Sequence, residues 1–103
     1  MRHELLIGVD IVDQEAYAQY RAGMTPILAE YGGGFRVDCE VARVLKSEKE
    51  EPMNRVFIIG FPSREKKESF FADPRYLAVR EQHFTRAVRQ VTRIAEYAHD
   101  DGA

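Results

Sequence analysis

Three stretches of the chain have the pattern of apolar residues expected of β-strands. Residues Leu5–Val12 and Arg55–Phe61 are apolar on both alternating sides, which is typical of central strands whose two faces are covered. The stretch Phe35–Leu45 is one-sided, which predicts an edge strand. Two sets of its residues are expected on opposite faces: apolar Phe35, Val37, Cys39 and Val41, and polar Arg36, Asp38 and Glu40.

Helical signals follow each of the two central strands. Asp13 is the expected N-cap of the first helix, and because proline suits a first helical turn, this helix should break and restart at Thr25-Pro26. Gly32–Gly34 should end it, since a phosphate-binding loop would instead follow a strand and open a helix. A second helical region begins at Pro62-Ser63 and restarts at Asp73-Pro74.

The C-terminal segment admits two structures. Apolar residues from Phe84 to Ala98 obey helical spacing, while Gln90–Tyr97 also suits a strand. Two central strands and one edge strand leave a neighbour missing, and a fourth strand completes a βαββαβ sheet in the order 4-1-3-2. We therefore predict a strand at Gln90–Tyr97. The expected fold class is α+β, a ferredoxin-like single domain over residues 1–103 with a four-stranded antiparallel sheet.

The charge and cysteine content of the chain indicate which partners and which cellular compartment to expect. With 15 Lys+Arg against 17 Asp+Glu, the net charge of -2 lacks the basic balance of a nucleic-acid binder, so we expect no nucleic acid and no membrane partner. An RNA-binding alternative would need Arg86, Arg89 and Arg93 to share a helical stripe. The single Cys39 cannot form an intrachain disulfide, which favours a buried thiol and a reducing, cytoplasmic location.

Several short motifs resemble one protein family in their order and spacing. They are Asp13-Gln14-Glu15-Ala16-Tyr17 with Tyr20, Pro26-Ile27, Tyr31-Gly32-Gly33, Phe61-Pro62-Ser63 and Asp73-Pro74-Arg75-Tyr76. The chain resembles the small bacterial proteins of domain-of-unknown-function family 1330, within the dimeric α/β-barrel superfamily. The resemblance implies a ferredoxin-like monomer, a face-to-face homodimer and a strand at Gln90–Tyr97. It implies no particular activity, although relatives include cofactor-free monooxygenases, isomerases and haem-degrading enzymes.

The same strand pattern predicts a homodimer independently. Two helices can cover only one face of a four-stranded sheet, yet Leu5–Val12 and Arg55–Phe61 are apolar on both faces. The second face amounts to about 400 Å², and covering it is worth about 10 kcal/mol per subunit before association costs.

Two classes of function remain open. One is a cofactor-free small-molecule-binding protein or enzyme; the other is a dimeric interaction or stress-response module without catalytic activity. A ligand-sized cavity would favour the first class, and a filled core the second.

A ligand site is expected between the helices and the sheet of one subunit, lined by Tyr20, Tyr31, Arg36 and His83. Tyr20 and Tyr31 would supply walls and a hydroxyl, and Arg36 would hold an anionic or carbonyl oxygen. His83 would be catalytic, moving a proton near neutral pH. No metal or cofactor is expected, because no His, Cys or carboxylate pair has the spacing of metal ligands.

Each candidate also has a structural interpretation. The tyrosines suit plain core packing, and Arg36 suits a salt bridge. On a helix, His83 shares a stripe with Tyr76 and Arg80, where a hydrogen-bonded structural histidine is the commoner outcome.

Overall fold

A computed structural model describes residues 1–100, which form one antiparallel sheet covered by helices on one side. The strands are β1 (Arg2–Ile11), β2 (Gly34–Glu40), β3 (Arg55–Phe61) and β4 (Val88–His99). The helices are α1 (Gln14–Glu30), α2 (Arg64–Ala72), α3 (Pro74–Val79) and α4 (Thr85–Ala87). A π-helical turn, the π segment (Arg80–Phe84), joins α3 to α4. None of the helices in this part of the chain is long and apolar enough to cross a membrane.

The sheet has the strand order β2-β3-β1-β4, in which every neighbouring pair is antiparallel. This is the predicted order 4-1-3-2 seen from the other edge, so the ferredoxin-like α+β fold is confirmed. The two strands that are apolar on both sides, β1 and β3, occupy the centre, where both edges of each strand are paired.

The core fills the space between the helices and one face of the sheet, the helix face. Every second residue of β1 and β3 points into it, which follows from the period of two along a strand. Its most buried members are Leu5, Val9, Tyr17, Tyr20, Met24, Leu28, Ile59, Phe61, Phe70 and Tyr76.

The other face of the sheet, the open face, has no helix over it. Its middle carries Val56 and Ile58 of β3 and Leu6 of β1, all half-buried, with Val37 of β2 paired to Ile58 at the edge. Met53, in the loop before β3, lies against Gly8, where an added Cβ would come within 2.1 Å of the Met53 Sδ. The open face is therefore largely apolar at its centre.

Helix boundaries follow the predicted caps. Asp13, Ser63 and Asp73 each accept a hydrogen bond from a backbone N–H in the first turn of α1, α2 and α3. After α1, Gly32 adopts a φ of +73°, the left-handed conformation that glycine tolerates at a helix end.

The predicted break at Thr25-Pro26 is wrong, because α1 runs uninterrupted through Pro26. Proline lacks the N–H that would bond to the Ala22 carbonyl, but both residues lie on the exposed face, where water can replace that bond. Met24 and Leu28 continue the buried stripe on the opposite side. Packing of that stripe outweighs the local cost of the proline.

The predicted faces of the edge strand are wrong beyond Phe35, because β2 contains a bulge between Phe35 and Val37. A bulge inserts one unpaired residue and reverses the alternation after it. Asp38 therefore pairs with core residue Phe57 on the helix face, while Cys39 lies opposite Val56 on the open face. Cys39 is an exposed free thiol, contrary to the buried thiol expected, and the strand ends at Glu40.

The ambiguous C-terminal segment is a strand, as predicted. Strand β4 pairs with β1 along nearly its whole length, with two irregularities in register. Arg89 and Arg93 lie on this strand and pair with Asp10 and Glu96, so the helical basic stripe needed by the RNA-binding alternative does not form.

Candidate functional site

A cavity of about 330 Å³ lies between the helix face of the sheet and helices α1 to α3. Aliphatic and aromatic side chains form most of its wall: Leu5, Ile7, Val9, Met24, Phe35, Phe57, Ile59, Phe71, Phe84 and Val91. A concave, mainly apolar space with a few polar groups is the usual makeup of a small-molecule site.

Two tyrosines bring hydroxyl groups to the cavity from different helices. Tyr20 lies on the buried stripe of α1 and Tyr76 on α3, and their hydroxyl oxygens are 2.9 Å apart. Both residues are buried, and burial raises the pKa of each phenol above its ordinary value. The pair is therefore neutral and acts through O–H groups, as donor and acceptor.

Lys67 of α2 and Arg93 of β4 also line the cavity, and both are bound to Glu96. The Glu96 carboxylate accepts hydrogen bonds from Lys67 Nζ at 2.8 Å and from Arg93 Nη1 at 2.6 Å. Hydrogen bonds from Lys67, then His3 and Arg93, lower the pKa of Glu96 to about 2. Glu96 is therefore ionised at neutral pH and compensates part of the positive charge.

Arg21 of α1 lies at the β2 side of the cavity, where residues of the protein already satisfy its charge and its hydrogen bonds. Its guanidinium stacks over the Phe35 ring at 3.8 Å from the centroid, and Nε donates to the Tyr17 hydroxyl. The Asp38 carboxylate accepts from Arg21 and, at 2.8 and 2.9 Å, from Arg55. These bonds, those of Arg55 first, lower the pKa of Asp38 to about 2.

Arg80 differs from the other cations of the lining. It begins the π segment, and its guanidinium carbon lies 5.0 Å from the ring centroid of Phe84, which also lines the cavity. Its backbone is hydrogen-bonded within the helix, but its guanidinium has no hydrogen-bond or ion-pair partner among residues 1–100. Its charge nevertheless reaches the tyrosines, since it acts to lower the pKa of Tyr20 and Tyr76 against the larger effect of burial.

The structure places the four predicted site residues in different surroundings. Tyr20 lines the cavity as expected. Tyr31 donates to the Asp73 carboxylate at 2.7 Å, which raises the pKa of this tyrosine, and Arg36 donates to the buried Glu4 on the open face. Neither of these two lines the cavity, and nor does His83, so the predicted lining is corrected.

The position of His83 follows from the π segment. In an α-helix it would share a stripe with Tyr76 and Arg80, but the wider π turn rotates it away while Phe84 takes its place at the cavity. His83 is half-buried, and its Nδ1 is buried with no hydrogen-bond partner in the described part of the chain. Its catalytic role remains a prediction.

The polar residues of the lining that sequence reasoning missed include Arg21, Lys67, Tyr76, Arg80 and Arg93. The sequence analysis placed Tyr76 and Arg80 on one helical stripe with His83 and selected His83, whereas the structure places Tyr76 and Arg80 at the cavity. Lys67 and Arg93 give no signal, because each is an ordinary charged residue until the fold brings both to Glu96. No group of three His, Cys, Asp or Glu among residues 1–100 is arranged to hold a metal ion.

The chain is therefore a ferredoxin-like α+β protein with a cavity between helices and sheet. The family model named "Domain of unknown function (DUF1330)" matches residues 5–97, and the chain therefore belongs to that family. No protein of curated function matches the sequence.

Solved structures of several bacterial proteins share the fold of this chain. A protein of unknown function from Rhodopseudomonas palustris superposes with a TM-score of 0.78 at 23% identity, over 90% of this chain and 78% of that one. A dabb family protein with a ferredoxin-like fold from Mesorhizobium loti gives 0.68 at 12% identity, over 95% and 96%. A dimeric protein of unknown function from Bacteroides fragilis gives 0.62 at 8% identity, over 95% and 96%.

Proposed function

We propose that the protein is a cofactor-free homodimer that binds a small, mainly apolar molecule in the cavity between its helices and sheet. The cavity itself carries the proposal, since its volume of about 330 Å³ falls within the range of ligand pockets, ~300–1,000 Å³. An apolar cavity of about 150 Å³ accepts benzene, so a two-ring aromatic body is a suitable size of ligand.

The cavity supports the first of the two classes of function. An interaction or stress-response module needs only a surface, and its core would be filled to ordinary density. Here apolar side chains from β1, β3 and α1 leave a space whose lining also includes Tyr20 and Tyr76. A few polar residues in an otherwise apolar lining support ligand binding.

The homodimer supports the same proposal from the outside of the sheet. Val37, Val56 and Ile58 lie on the open face, and the Bacteroides fragilis neighbour is described as dimeric. A second copy on this face would keep the strands that hold the cavity floor dry and rigid. A reducing, cytoplasmic setting is part of the proposal, and the free exposed thiol of Cys39 supports it.

The test is binding of a neutral aromatic probe, 2-naphthamide, measured by titration calorimetry. Ile7 lines the cavity on β1, so Ile7→Trp should fill part of it and weaken binding at least tenfold. Leu77→Trp on the exposed surface of α3 is the matched control and should bind as the unmodified protein does. Circular dichroism melting verifies that both variants fold. Equal binding by both variants would contradict the proposal, and so would failure of the unmodified protein to bind either 2-naphthamide or its carboxylate analogue, 2-naphthoate.

A further inference from the structure

We propose that the cavity selects a carboxylate: a small apolar body whose carboxylate group is held by Arg80 and by the Tyr20–Tyr76 hydroxyl pair. This inference rests on the proposed ligand-binding function and adds to it the charge of the ligand. Three observations support the inference. Arg80 is the cation of the lining that has no carboxylate partner among residues 1–100, the Tyr20–Tyr76 pair has one hydroxyl proton to donate, and the rest of the wall is mainly apolar.

The first step is the charge balance of the lining. Four cations line the cavity: Arg21, Lys67, Arg80 and Arg93. Arg21 is bound to Asp38, while Lys67 and Arg93 share the one carboxylate of Glu96. Arg80 has no carboxylate partner among residues 1–100, so the lining carries an excess of positive charge. Arg80 is exposed, so water solvates its charge while the cavity is empty. A carboxylate bound beside it would gain a counter-ion, whereas an unpaired carboxylate in an apolar space is costly.

The second step is the geometry of Arg80. Its guanidinium lies over the Phe84 ring, 5.0 Å from the centroid, and both side chains line the cavity. Contact with an aromatic ring uses the flat face of a guanidinium and leaves its N–H donors available in the plane. Those donors match the two oxygens of a carboxylate, with which arginine forms paired hydrogen bonds. The Phe84 ring thus positions the guanidinium of Arg80, and the N–H donors of that guanidinium remain available to a ligand.

The third step is a count of protons at the tyrosine pair. Two neutral hydroxyls carry two protons, and the bond of 2.9 Å between Tyr20 and Tyr76 uses one of them. Whichever hydroxyl donates, the O–H of the other remains free, and both residues line the cavity. A carboxylate oxygen is an acceptor that this proton can satisfy. An ammonium or other cationic ligand would meet repulsion from Arg80 at the same place.

The experiment compares two probes of equal shape, 2-naphthoate and 2-naphthamide, by titration calorimetry at neutral pH. They differ only in the charge of the headgroup, so their affinity ratio measures selection for an anion. We expect 2-naphthoate to bind at least tenfold more tightly. Arg80→Gln should abolish this ratio by weakening 2-naphthoate while leaving 2-naphthamide within twofold.

The control variant is Arg86→Gln, six residues further along the same helical segment. Arg86 is exposed, donates to Gln19 at 3.2 Å and does not line the cavity, so the ratio should remain as in the unmodified protein. A second variant, the double substitution Tyr20→Phe with Tyr76→Phe, removes both hydroxyl protons and should weaken 2-naphthoate several-fold.

The outcomes separate this inference from the function on which it rests. Binding of both probes with equal affinity overturns carboxylate selection and leaves the ligand-binding function standing. A preference for 2-naphthoate that persists in Arg80→Gln, or disappears in Arg86→Gln, also overturns it. If neither probe binds the unmodified protein, the proposed function fails and this inference fails with it.

Discussion

At the scale of single residues, Asp38 shows how one carboxylate joins three elements. It lies on β2, and it accepts hydrogen bonds from Arg55 on β3 and Arg21 on α1. The arginine that stacks on Phe35 at the cavity is held in place by this carboxylate. The bulge before Val37 makes the arrangement possible, because it turns Asp38 to the helix face.

The pKa of Asp38 predicts a dependence of stability on pH. Its value of about 2 in the folded chain lies below the value near 4 of an unfolded aspartate. The stabilisation is therefore complete above about pH 5, declines as the pH falls below about 4 and is lost only below about pH 2. Because Asp38 is exposed and solvent screens its charge, Asp38→Asn should reduce the free energy of unfolding by about 1 kcal/mol at pH 7, and the difference should fall to a small fraction near pH 2.

Urea unfolding followed by circular dichroism between pH 7 and pH 2 measures this effect. Cys39→Ser, at the adjacent exposed position of β2, provides the control and should follow the unmodified protein at each pH. A difference between Asp38→Asn and the unmodified protein that is constant with pH would show that the Asp38 charge does not stabilise the fold.

At the scale of elements, the strands that the sequence predicts best are those with the least ambiguous pattern. β1 and β3 are apolar on both sides, and only a central position satisfies that pattern. For β4 the periodicity favours a helix, and the need to cover the edge of β1 decides in favour of a strand. The bulge in β2 and the π segment leave no trace in the periodicity, because each changes the count by a single residue.

Those two irregularities also explain why the candidate site was only partly predictable. The location between helices and sheet follows from the fold, and Tyr20 follows from the stripe of α1. Arg36 lies opposite Phe35, as simple alternation predicts, and bonds to Glu4 on the open face. The bulge turns Asp38, the partner of the lining residue Arg21, to the helix face. The π turn exchanges His83 for Phe84 at the cavity. A one-residue shift suffices to move a side chain to another face.

Helix α1 provides a prediction about proline. Pro26 lies inside α1 on its exposed face, where it removes one backbone hydrogen bond at a cost of about 3 kcal/mol relative to alanine. Because proline also restricts the unfolded chain by up to about 1 kcal/mol, Pro26→Ala should stabilise the fold by about 1–2 kcal/mol in urea unfolding. Ala18→Gly, also exposed on α1, is the calibration and should destabilise by about 1 kcal/mol. Destabilisation by Pro26→Ala would mean that the proline ring makes contacts that α1 requires.

At the scale of the whole molecule, the two faces of the sheet have different proposed roles, ligand binding on the helix face and dimer formation on the open face. The helix face encloses the cavity, and the open face offers an apolar centre flanked by the Arg36–Glu4 and Arg89–Asp10 ion pairs. A chain of 103 residues buries a modest core, so covering the open face would contribute appreciably to its stability. The proposed dimer and the proposed ligand site are therefore coupled through β1 and β3, which contribute to both surfaces.

The homodimer is tested by placing a charge on the open face. Val37 there and Leu77 on α3 have nearly the same exposure, 43% and 46%, so a glutamate at either position costs the monomer little. Val37→Glu should weaken the dimer at least tenfold, because association would bury an unpaired carboxylate, whereas Leu77→Glu should leave it unchanged. Light scattering after size exclusion, at tens of micromolar protein, measures the mass of each. An unmodified protein that is monomeric at that concentration would contradict the dimer, and equal dissociation by the two variants would place the contact elsewhere than on the sheet.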